Sequence, residues 1–354
     1  MKNIKRSYLV LLLALSLLWL LVDGVLTAPY EFFALRSSLV NYTGILAIGA
    51  MSVGIFLAIR PQRLEPFLGG LDKSYRLHKW LGITALVVSV LHWLCVKGPK
   101  WMVGWGWLEK PVRKAAAPGE PLPAIFQFFR SQRGLAEDLG EWAFYAVIVL
   151  IALALLKRFP YRWFFKTHRL LAVVYLVLAF HSMVLMKTFY WSSPLGALMV
   201  VLLLAGTLAA GVSLLRRIGR TRRALGSISG LVQHRDNRVL GVDIQLKDRW
   251  PGHVAGQFAF VTFDPAEGPH PFTISSALHE DGKLRFLIKG LGDYTARLPQ
   301  ALQVGDSVTV EGPYGTFDFR SSQPGQIWVA GGDAKGTVRV TTGGLPAKAS
   351  TRNS

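Results

Sequence analysis

Four of the eight histidines lie in or at the edge of long apolar stretches, where ionisable side chains are costly and mark candidate functional sites. They form two pairs along the chain, His78 with His92 and His168 with His181, spaced fourteen and thirteen residues apart. At about 1.5 Å of rise per residue, each spacing corresponds to about 20 Å along a helix. If the two helices run in the same direction, His78 faces His168 near one membrane surface and His92 faces His181 near the other.

Two imidazoles that face each other across a helix bundle are the axial ligands that a six-coordinate b-type haem requires, and two such layers would conduct electrons across a bilayer. The angle between the two histidines around the helix axis fits this arrangement on one helix only. At about 100° per residue, His78 and His92 share a face within about 40°, whereas His168 and His181 are about 140° apart. The second helix must therefore contain an irregularity or present its histidines at different angles. The alternative is that all four are interface or core histidines without a ligand.

The composition places these histidines in a membrane protein. Hydrophobic residues make up 51% of the 354 residues and charged residues only 17%, against about 25% in globular proteins. The single cysteine, Cys95, excludes an intrachain disulfide, a cysteine-ligated iron–sulfur cluster, a cysteine-type zinc site and covalent haem attachment through C-x-x-C-H. The net charge of +19 does not indicate a nucleic-acid partner, because the basic residues are divided into clusters between apolar runs.

Six apolar stretches approach the roughly 20 residues that a membrane-spanning helix needs. They cover about residues 8–26, 39–59, 77–96, 140–156, 169–186 and 194–215. Basic clusters at residues 2–6, 60–79, 157–169 and 216–223 all fall on one side, which the positive-inside rule makes cytoplasmic. We therefore expect a multi-pass protein of the inner (plasma) membrane with both termini in the cytoplasm. A cleaved signal peptide is the alternative for the first stretch, but Leu26-Thr27-Ala28 lacks the small residue at position −3.

After residue 223 the pattern changes to short alternating strands separated by turn residues, at about 228–233, 239–246, 257–263, 284–288 and 307–310. This pattern predicts a water-soluble, largely antiparallel β module. The expected fold is thus a membrane all-α six-helix bundle followed by a cytoplasmic antiparallel β-barrel.

In its two histidine pairs the sequence resembles the ferric reductase and NADPH oxidase superfamily, whose third and fifth helices carry histidine pairs with these spacings. The resemblance implies that His78, His92, His168 and His181 ligate two b-type haems. It also extends to the β module, where residues 270–276 (HPFTISS) are similar to the superfamily's FAD-binding segment. There a proline keeps the strand end extended, Phe272 offers an apolar wall, and Thr273 and Ser275 offer hydroxyl groups.

Two further motifs follow in the superfamily's order. Residues 290–298 indicate a glycine turn that opens a short helix limited by Pro299, and a helix N-terminus presents free amides to a pyrophosphate. Residues 311–316 (EGPYGT) match a Gly-Pro-aromatic-Gly turn. The FAD-binding residues implied by the resemblance are His270, Pro271, Phe272, Thr273, Ile274, Ser275, Ser276, Gly292, Asp293, Tyr294 and Thr295. The histidines at 234, 253 and 279 are expected at the surface, without a role.

The superfamily continues with a nicotinamide-binding α/β domain. Here residues 327–332 resemble its opening strand, but residues 333–354 contain few bulky apolar side chains and are expected to form a disordered tail. The predicted domains are thus 1–223 (membrane), 224–326 (FAD-binding) and 327–354 (an aborted NAD(P)-binding domain). NADPH is therefore expected to reduce the haems poorly without a partner.

The predicted function is transmembrane electron transfer from cytoplasmic FAD through two haems to an outside acceptor, a ferric chelate in preference to dioxygen. Superoxide production of the NADPH oxidase type, a haem subunit that serves a separate reductase, and a non-redox membrane protein remain as alternatives. Six residues on the outer side could form an entrance that tolerates an anionic chelate. In the alternative interpretation, the tryptophans among them form an interfacial belt and the lysines a solvated rim. The six residues are Lys97, Lys100, Trp101, Trp105, Trp107 and Lys187.

Overall fold

A computed structural model describes residues 1–25, 31–110, 123–156, 158–278 and 281–316 of the chain. The predictions about residues 26–28, His279 and residues 327–354 lie outside this described part. The chain divides into two compact units, residues 1–68 with 72–218 and residues 69–71 with 219 onward. They are called the membrane unit and the flavin unit below.

The regular elements described in the membrane unit are all helices. Its helices are α1 (Lys2–Asp23), α2 (Phe32–Ala58), α3 (Glu65–Leu68), α4 (Leu71–Gly104), α5 (Ala124–Ser131), α6 (Arg133–Leu155), α7 (Tyr161–Leu185) and α8 (Pro194–Leu214). Six of them, α1, α2, α4, α6, α7 from Trp163, and α8, are long and apolar enough to cross a membrane. This confirms the six predicted spans. The 34 residues of α4 correspond to about 51 Å, so this helix must extend beyond about 30 Å of hydrocarbon.

Local sequence explains several helix ends. Helix α8 begins at Pro194, whose missing N–H costs nothing in the first turn, and the Ser193 hydroxyl accepts a hydrogen bond from the Gly196 amide at 3.3 Å. Helix α1 ends at Gly24, which adopts a left-handed φ of 73°. Within the bundle, α1 packs on α2, α2 on α8, and α6 on α7. Helix α2 also contacts α7, and hydrogen bonds join it to α4. Helices α2 and α6 therefore lie beside the histidine-bearing helices.

In its described residues, the flavin unit is an antiparallel sheet with one α-helix. Its elements are β1 (Arg223–His234), β2 (Val239–Leu246), β3 (Phe258–Thr262), β4 (His270–Thr273), β5 (Lys283–Lys289), α9 (Asp293–Ala301) and β6 (Ser307–Tyr314). The strand order is β4-β3-β6-β1-β2-β5, and every pair is antiparallel. An antiparallel bridge between Ile274 and Phe286 joins the two edge strands, which closes the sheet as a barrel. The predicted antiparallel β module is confirmed.

Two local predictions in this unit were wrong. Pro299 lies inside α9 and does not limit it, because a single proline removes one N–H while buried Leu298 holds the last turn against the core. The Gly312-Pro313-Tyr314 segment is the end of strand β6, not a turn, and the Gly312–Pro313 peptide is cis. Tyr314 pairs with Phe258 of β3, so the ladder continues past the proline.

Candidate functional site

The structure brings the four membrane histidines together as two facing pairs. The ring centroids of His78 and His168 are 5.8 Å apart with an interplanar angle of 70°. Those of His92 and His181 are 6.3 Å apart at 78°. Two imidazoles that share one metal ion through nitrogen atoms about 2 Å away have their ring centroids roughly 6 Å apart. Both pairs therefore leave room for one metal ion between their rings.

The thirteen-residue spacing on α7 is accommodated without a break in the helix. Helix α7 is continuous α-helix from Tyr161 to Leu185, through both His168 and His181. Of the two possibilities that the rotational phase left open, different approach angles of the side chains therefore apply. The two α7 imidazoles meet their α4 partners from different directions around the helix.

Three of the four imidazoles are anchored through Nδ1 to a backbone carbonyl of a neighbouring helix. The bonds join His78 to Gly54 O at 2.8 Å, His92 to Val40 O at 3.0 Å, and His181 to Ala136 O at 2.7 Å. Because a carbonyl only accepts, Nδ1 must carry the proton in each ring, which leaves the Nε2 lone pair for a ligand bond. This is the arrangement that orients histidines at metal sites.

His168 is held differently. Its Nδ1 is buried and has no hydrogen-bond partner within the described chain, and its ring stacks on Phe164 with centroids 5.0 Å apart. The indole Nε1 of Trp93, beside His92, is likewise buried and unpartnered among the described residues. Buried polar atoms are nearly always bonded, so these two nitrogen atoms are available to a bound polar group.

A glycine allows α6 to approach the His181 ring. A β-carbon at position 140 would lie 2.0 Å from His181 Nδ1, and a β-carbon at Gly44 would lie 3.4 Å from His92 Cε1. Sequence reasoning missed both glycines, as well as the carbonyl anchors. A glycine inside an apolar helix is a recognisable signal of close packing, but nothing in the sequence names its partner.

The donor set fits a haem better than a bare metal ion. Among the described residues there is no cluster of three or more His, Cys, Asp or Glu side chains that could hold a metal ion. A protein-only transition-metal site needs three or four such ligands, whereas a haem brings its own equatorial nitrogens and takes two axial ligands from the protein. Two isolated imidazole pairs match the second case.

An arginine near the start of α2 supports the helix that carries His92. Arg36 on α2 donates from Nε to Cys95 O at 3.0 Å and from Nη2 to Val96 O at 3.2 Å. Pro99 lies inside α4 and has no N–H, so Cys95 O lacks its usual helical donor four residues later. Arg36 supplies that donor, one turn before Val40, which anchors His92. Sequence reasoning did not identify this residue.

The lysines expected at the outer side are mostly engaged in ion pairs. Lys97 lies 2.7 Å from Glu141, and Lys187 lies 2.6 Å from Asp23. Asp23 also accepts hydrogen bonds from Ser38 and Tyr190. The tryptophans at 101, 105 and 107 are exposed, as an interfacial belt requires. A cationic mouth for an anionic chelate therefore has fewer uncompensated charges than the sequence suggested.

In the flavin unit, the structure brings the first two predicted FAD-binding motifs together. The ring of His270, on β4, stacks on the ring of Tyr294, on α9, with centroids 4.2 Å apart and an angle of 18°. Burial lowers the pKa of His270, so the imidazole in this stack is neutral. Burial, with the charges of Asp264 and Glu267, raises the pKa of Tyr294 to about 12.

The remaining predicted residues differ in their exposure. Thr273 and Ser275 are exposed, Phe272 is half-buried against the barrel core, and Ile274 is buried. At the N-terminus of α9, the first helical bond runs from the Ala296 amide to Gly292 O, so the amides of the first turn precede the helical ladder. The Thr295 hydroxyl accepts bonds from the amides of Leu291 and Gly292, and thus orders the glycine turn.

The prediction that His253 lies at the surface was wrong. Its side chain is 8% exposed, and both ring nitrogens have hydrogen-bond partners. Its Nε2 lies 3.1 Å from Ser276 O, at the end of the predicted flavin segment. No motif contains this histidine, so its contact could only be found in three dimensions.

Comparisons with known proteins agree with this architecture. Residues 43–179 match the family model of the ferric reductase like transmembrane component, and residues 231–318 match the model of an FAD-binding domain. The chain is 34% identical over 97 residues to the phenol hydroxylase P5 protein of Acinetobacter pittii (strain PHEA-2), which is 27% of each chain. It is 32% identical over 111 residues to the phenol 2-monooxygenase reductase component DmpP of Pseudomonas sp. (strain CF600), covering 30% of this chain and 31% of that protein.

The chain thus spans less than a third of the length of these curated relatives. Among solved structures, the ferredoxin reductase in carbazole 1,9a-dioxygenase aligns with 28% of this chain and 30% of its own, at 21% identity and a TM-score of 0.25. The flavohemoglobin from Malassezia yamatoensis aligns with 80% of this chain and 64% of its own, at 14% identity and a TM-score of 0.28. The two family matches agree with the superfamily predicted from the histidine spacings and flavin motifs: this chain combines a region that matches the ferric reductase like transmembrane component with a region that matches an FAD-binding domain.

Proposed function

We propose that this protein moves electrons across a membrane, from FAD through two b-type haems to an acceptor on the opposite side. The observation that carries the proposal is the pair of imidazole layers at 5.8 and 6.3 Å between centroids. In this proposal His78 and His168 hold one haem, and His92 and His181 hold the other. The predicted orientation makes the His78 layer cytoplasmic and the membrane the inner (plasma) membrane.

The chain's own residues would act mainly by holding ligands in place. The carbonyls of Gly54, Val40 and Ala136 keep three imidazoles in the Nδ1–H form, so each Nε2 lone pair is presented without a rearrangement. When bound, FAD supplies the conversion from a two-electron hydride to single electrons, and the haems supply one-electron carriers. The apolar helices around both layers exclude water from them.

In the flavin unit, we assign FAD binding to the residues that the sequence predicted. The hydroxyl groups of Thr273 and Ser275 are exposed on the segment that follows β4 and can bond a polar ring edge or the ribityl chain. The N-terminus of α9, at Gly292–Thr295, offers amides to the pyrophosphate. NAD(P)H is the electron donor that the superfamily implies.

A ferric chelate is the first candidate acceptor and dioxygen the second. The ion pairs of Lys97 and Lys187 are a reason to retain dioxygen as a candidate acceptor, because a neutral diatomic molecule needs no cationic entrance. Service to a separate redox partner is a third possibility. The similarity to DmpP, the reductase component of phenol 2-monooxygenase, favours this possibility.

Spectroscopy on the purified full-length protein tests the proposal. We expect a dithionite-reducible b-type spectrum, and FAD released by heat denaturation. Absence of the haem spectrum would exclude the proposal, and haem without FAD would favour the separate-partner alternative. His92→Ala should lose one haem and retain the other, so an unchanged haem stoichiometry would contradict the pairing of His92 with His181.

A further inference from the structure

The loop between β2 and β3 contains a histidine whose two ring nitrogens are both engaged. Trp250 donates its indole N–H to His253 Nδ1 at 3.4 Å, and His253 Nε2 lies 3.1 Å from Ser276 O. An indole N–H can only donate and a carbonyl can only accept. The buried His253 is therefore the neutral tautomer that carries its proton on Nε2.

The segment that His253 contacts is also hydrogen-bonded to β5. The Ser275 amide donates to Arg285 O at 2.8 Å, and the Arg285 amide donates to Ser276 Oγ at 3.2 Å. These bonds continue the bridge between Ile274 and Phe286 that closes the barrel. The described hydrogen-bond partner of the Ser276 carbonyl is the imidazole of His253. The bond from Nε2 thus fixes the peptide at which the flavin segment leaves the barrel.

The same loop also contacts the third predicted motif. Gln257 donates from Nε2 to Gly315 O at 3.0 Å and accepts at Oε1 from the Val254 amide at 2.9 Å. Its backbone carbonyl accepts from the Ile274 amide at 3.0 Å. The loop from Trp250 to Gln257 therefore connects residues 274–276 with Gly315, two segments that lie about 40 positions apart in the sequence.

We propose that His253 is a positioning residue for the FAD site: its Nε2–H, selected by Trp250, holds the Ser276 carbonyl and so sets the course of the flavin-binding segment. This inference rests on the proposed FAD site. It assigns to His253 no contact with the cofactor. It requires a hydrogen-bond donor at this position and not only a ring of the same size.

Three substitutions in the full-length protein distinguish the effect of the His253 hydrogen-bond donor from the effect of the side-chain volume. His253→Phe keeps an aromatic ring without the N–H, and His253→Gln places an amide N–H at about the position of Nε2. His253→Asn carries the same amide on a side chain too short to reach. We expect FAD to bind about tenfold more weakly in the Phe and Asn variants, as the loss of one hydrogen bond predicts, and nearly normally in the Gln variant.

The measurements are FAD affinity, by titration into deflavinated protein, and the visible circular dichroism of the bound flavin, which reports its orientation. Trp250→Phe should shift the dichroism in the same direction with a smaller loss of affinity. His234→Gln, at an exposed histidine of β1, is the matched control and should change neither. Haem content should stay constant in all variants.

Two outcomes would overturn the inference alone: wild-type FAD affinity in His253→Phe, or equal weakening in the Gln and Asn variants, which would reduce His253 to a packing role. If the Phe variant does not fold, the comparison of Gln with Asn still decides. A wild-type protein that binds no FAD would overturn the proposed function and this inference together.

Discussion

Gly140 of α6 lies directly against the ring of His181 on α7, so that a β-carbon at position 140 would lie 2.0 Å from His181 Nδ1. The same helix accepts the Nδ1 proton one turn earlier, at Ala136 O. The hydrogen bond therefore depends on the close approach of the two helices. The Ala136 carbonyl comes within 2.7 Å of the imidazole because α6 has no side chain at Gly140.

Gly140→Ala is therefore expected to displace His181 and to remove about half of the bound haem, because the methyl group cannot be accommodated without moving the ring or the helix. The pyridine haemochromogen assay on purified protein measures this loss. Gly134→Ala is the matched control on the same helix, since a β-carbon there meets nothing within 4 Å. Full haem content in Gly140→Ala would show that His181 is not held as described.

Arg36→Leu is expected to destabilise the membrane unit by about 1–3 kcal/mol, the typical effect of leaving a buried carbonyl without a donor. Cys95 O depends on Arg36 because Pro99 lacks the N–H that would otherwise donate to this carbonyl. In a Pro99→Ala background the helix regains this N–H, so the same Arg36→Leu change should be less destabilising. Thermal unfolding in detergent measures both effects, and equal losses in the two backgrounds would refute the assigned role.

Tyr175, on α7 between His168 and His181, bonds Ser52 of α2 at 2.9 Å in the buried core of the bundle. Because α2 also carries the carbonyl anchors of His78 and His92, this bond ties the two histidine-bearing helices to one support. Tyr175→Phe and Ser52→Ala should each weaken the bundle, and their combination should be non-additive by about 0.6 kcal/mol. The double-mutant cycle is measured by thermal haem release, and strict additivity would contradict the coupling.

Flavin retention should fall as the pH is lowered. Burial depresses the pKa of His270 below its ordinary value of 6.5, so the unfolded chain binds this proton more readily than the folded one. The neutral imidazole therefore contributes to the stability of the folded flavin unit. This contribution is fully present above pH 6.5 and is lost as the pH falls through the lower folded-state pKa, so the unit holds FAD less well at low pH. FAD release, followed by fluorescence from neutral pH to about pH 5, should be less pH-dependent in His270→Gln. Identical pH profiles would assign the effect to another group.

The sequence alone determined the elements whose signals are local. Apolar run length identified the six spans, and the spacing of fourteen and thirteen residues identified the four histidines. The order of the flavin motifs identified the superfamily. Alternation of buried and exposed residues predicted most strands, but it missed β4, whose four residues are too few to show a period.

Only the tertiary structure decided what holds the site in place. His181 meets Ala136 across 45 positions of the chain, Arg36 meets Cys95 across 59, and His253 meets Ser276 across 23. None of these contacts has a periodic signature, because each depends on how two elements pack and not on the pattern within either one. A histidine's type and spacing thus predict that it can bind a ligand, whereas its tautomer and orientation follow from a partner that folding brings beside it.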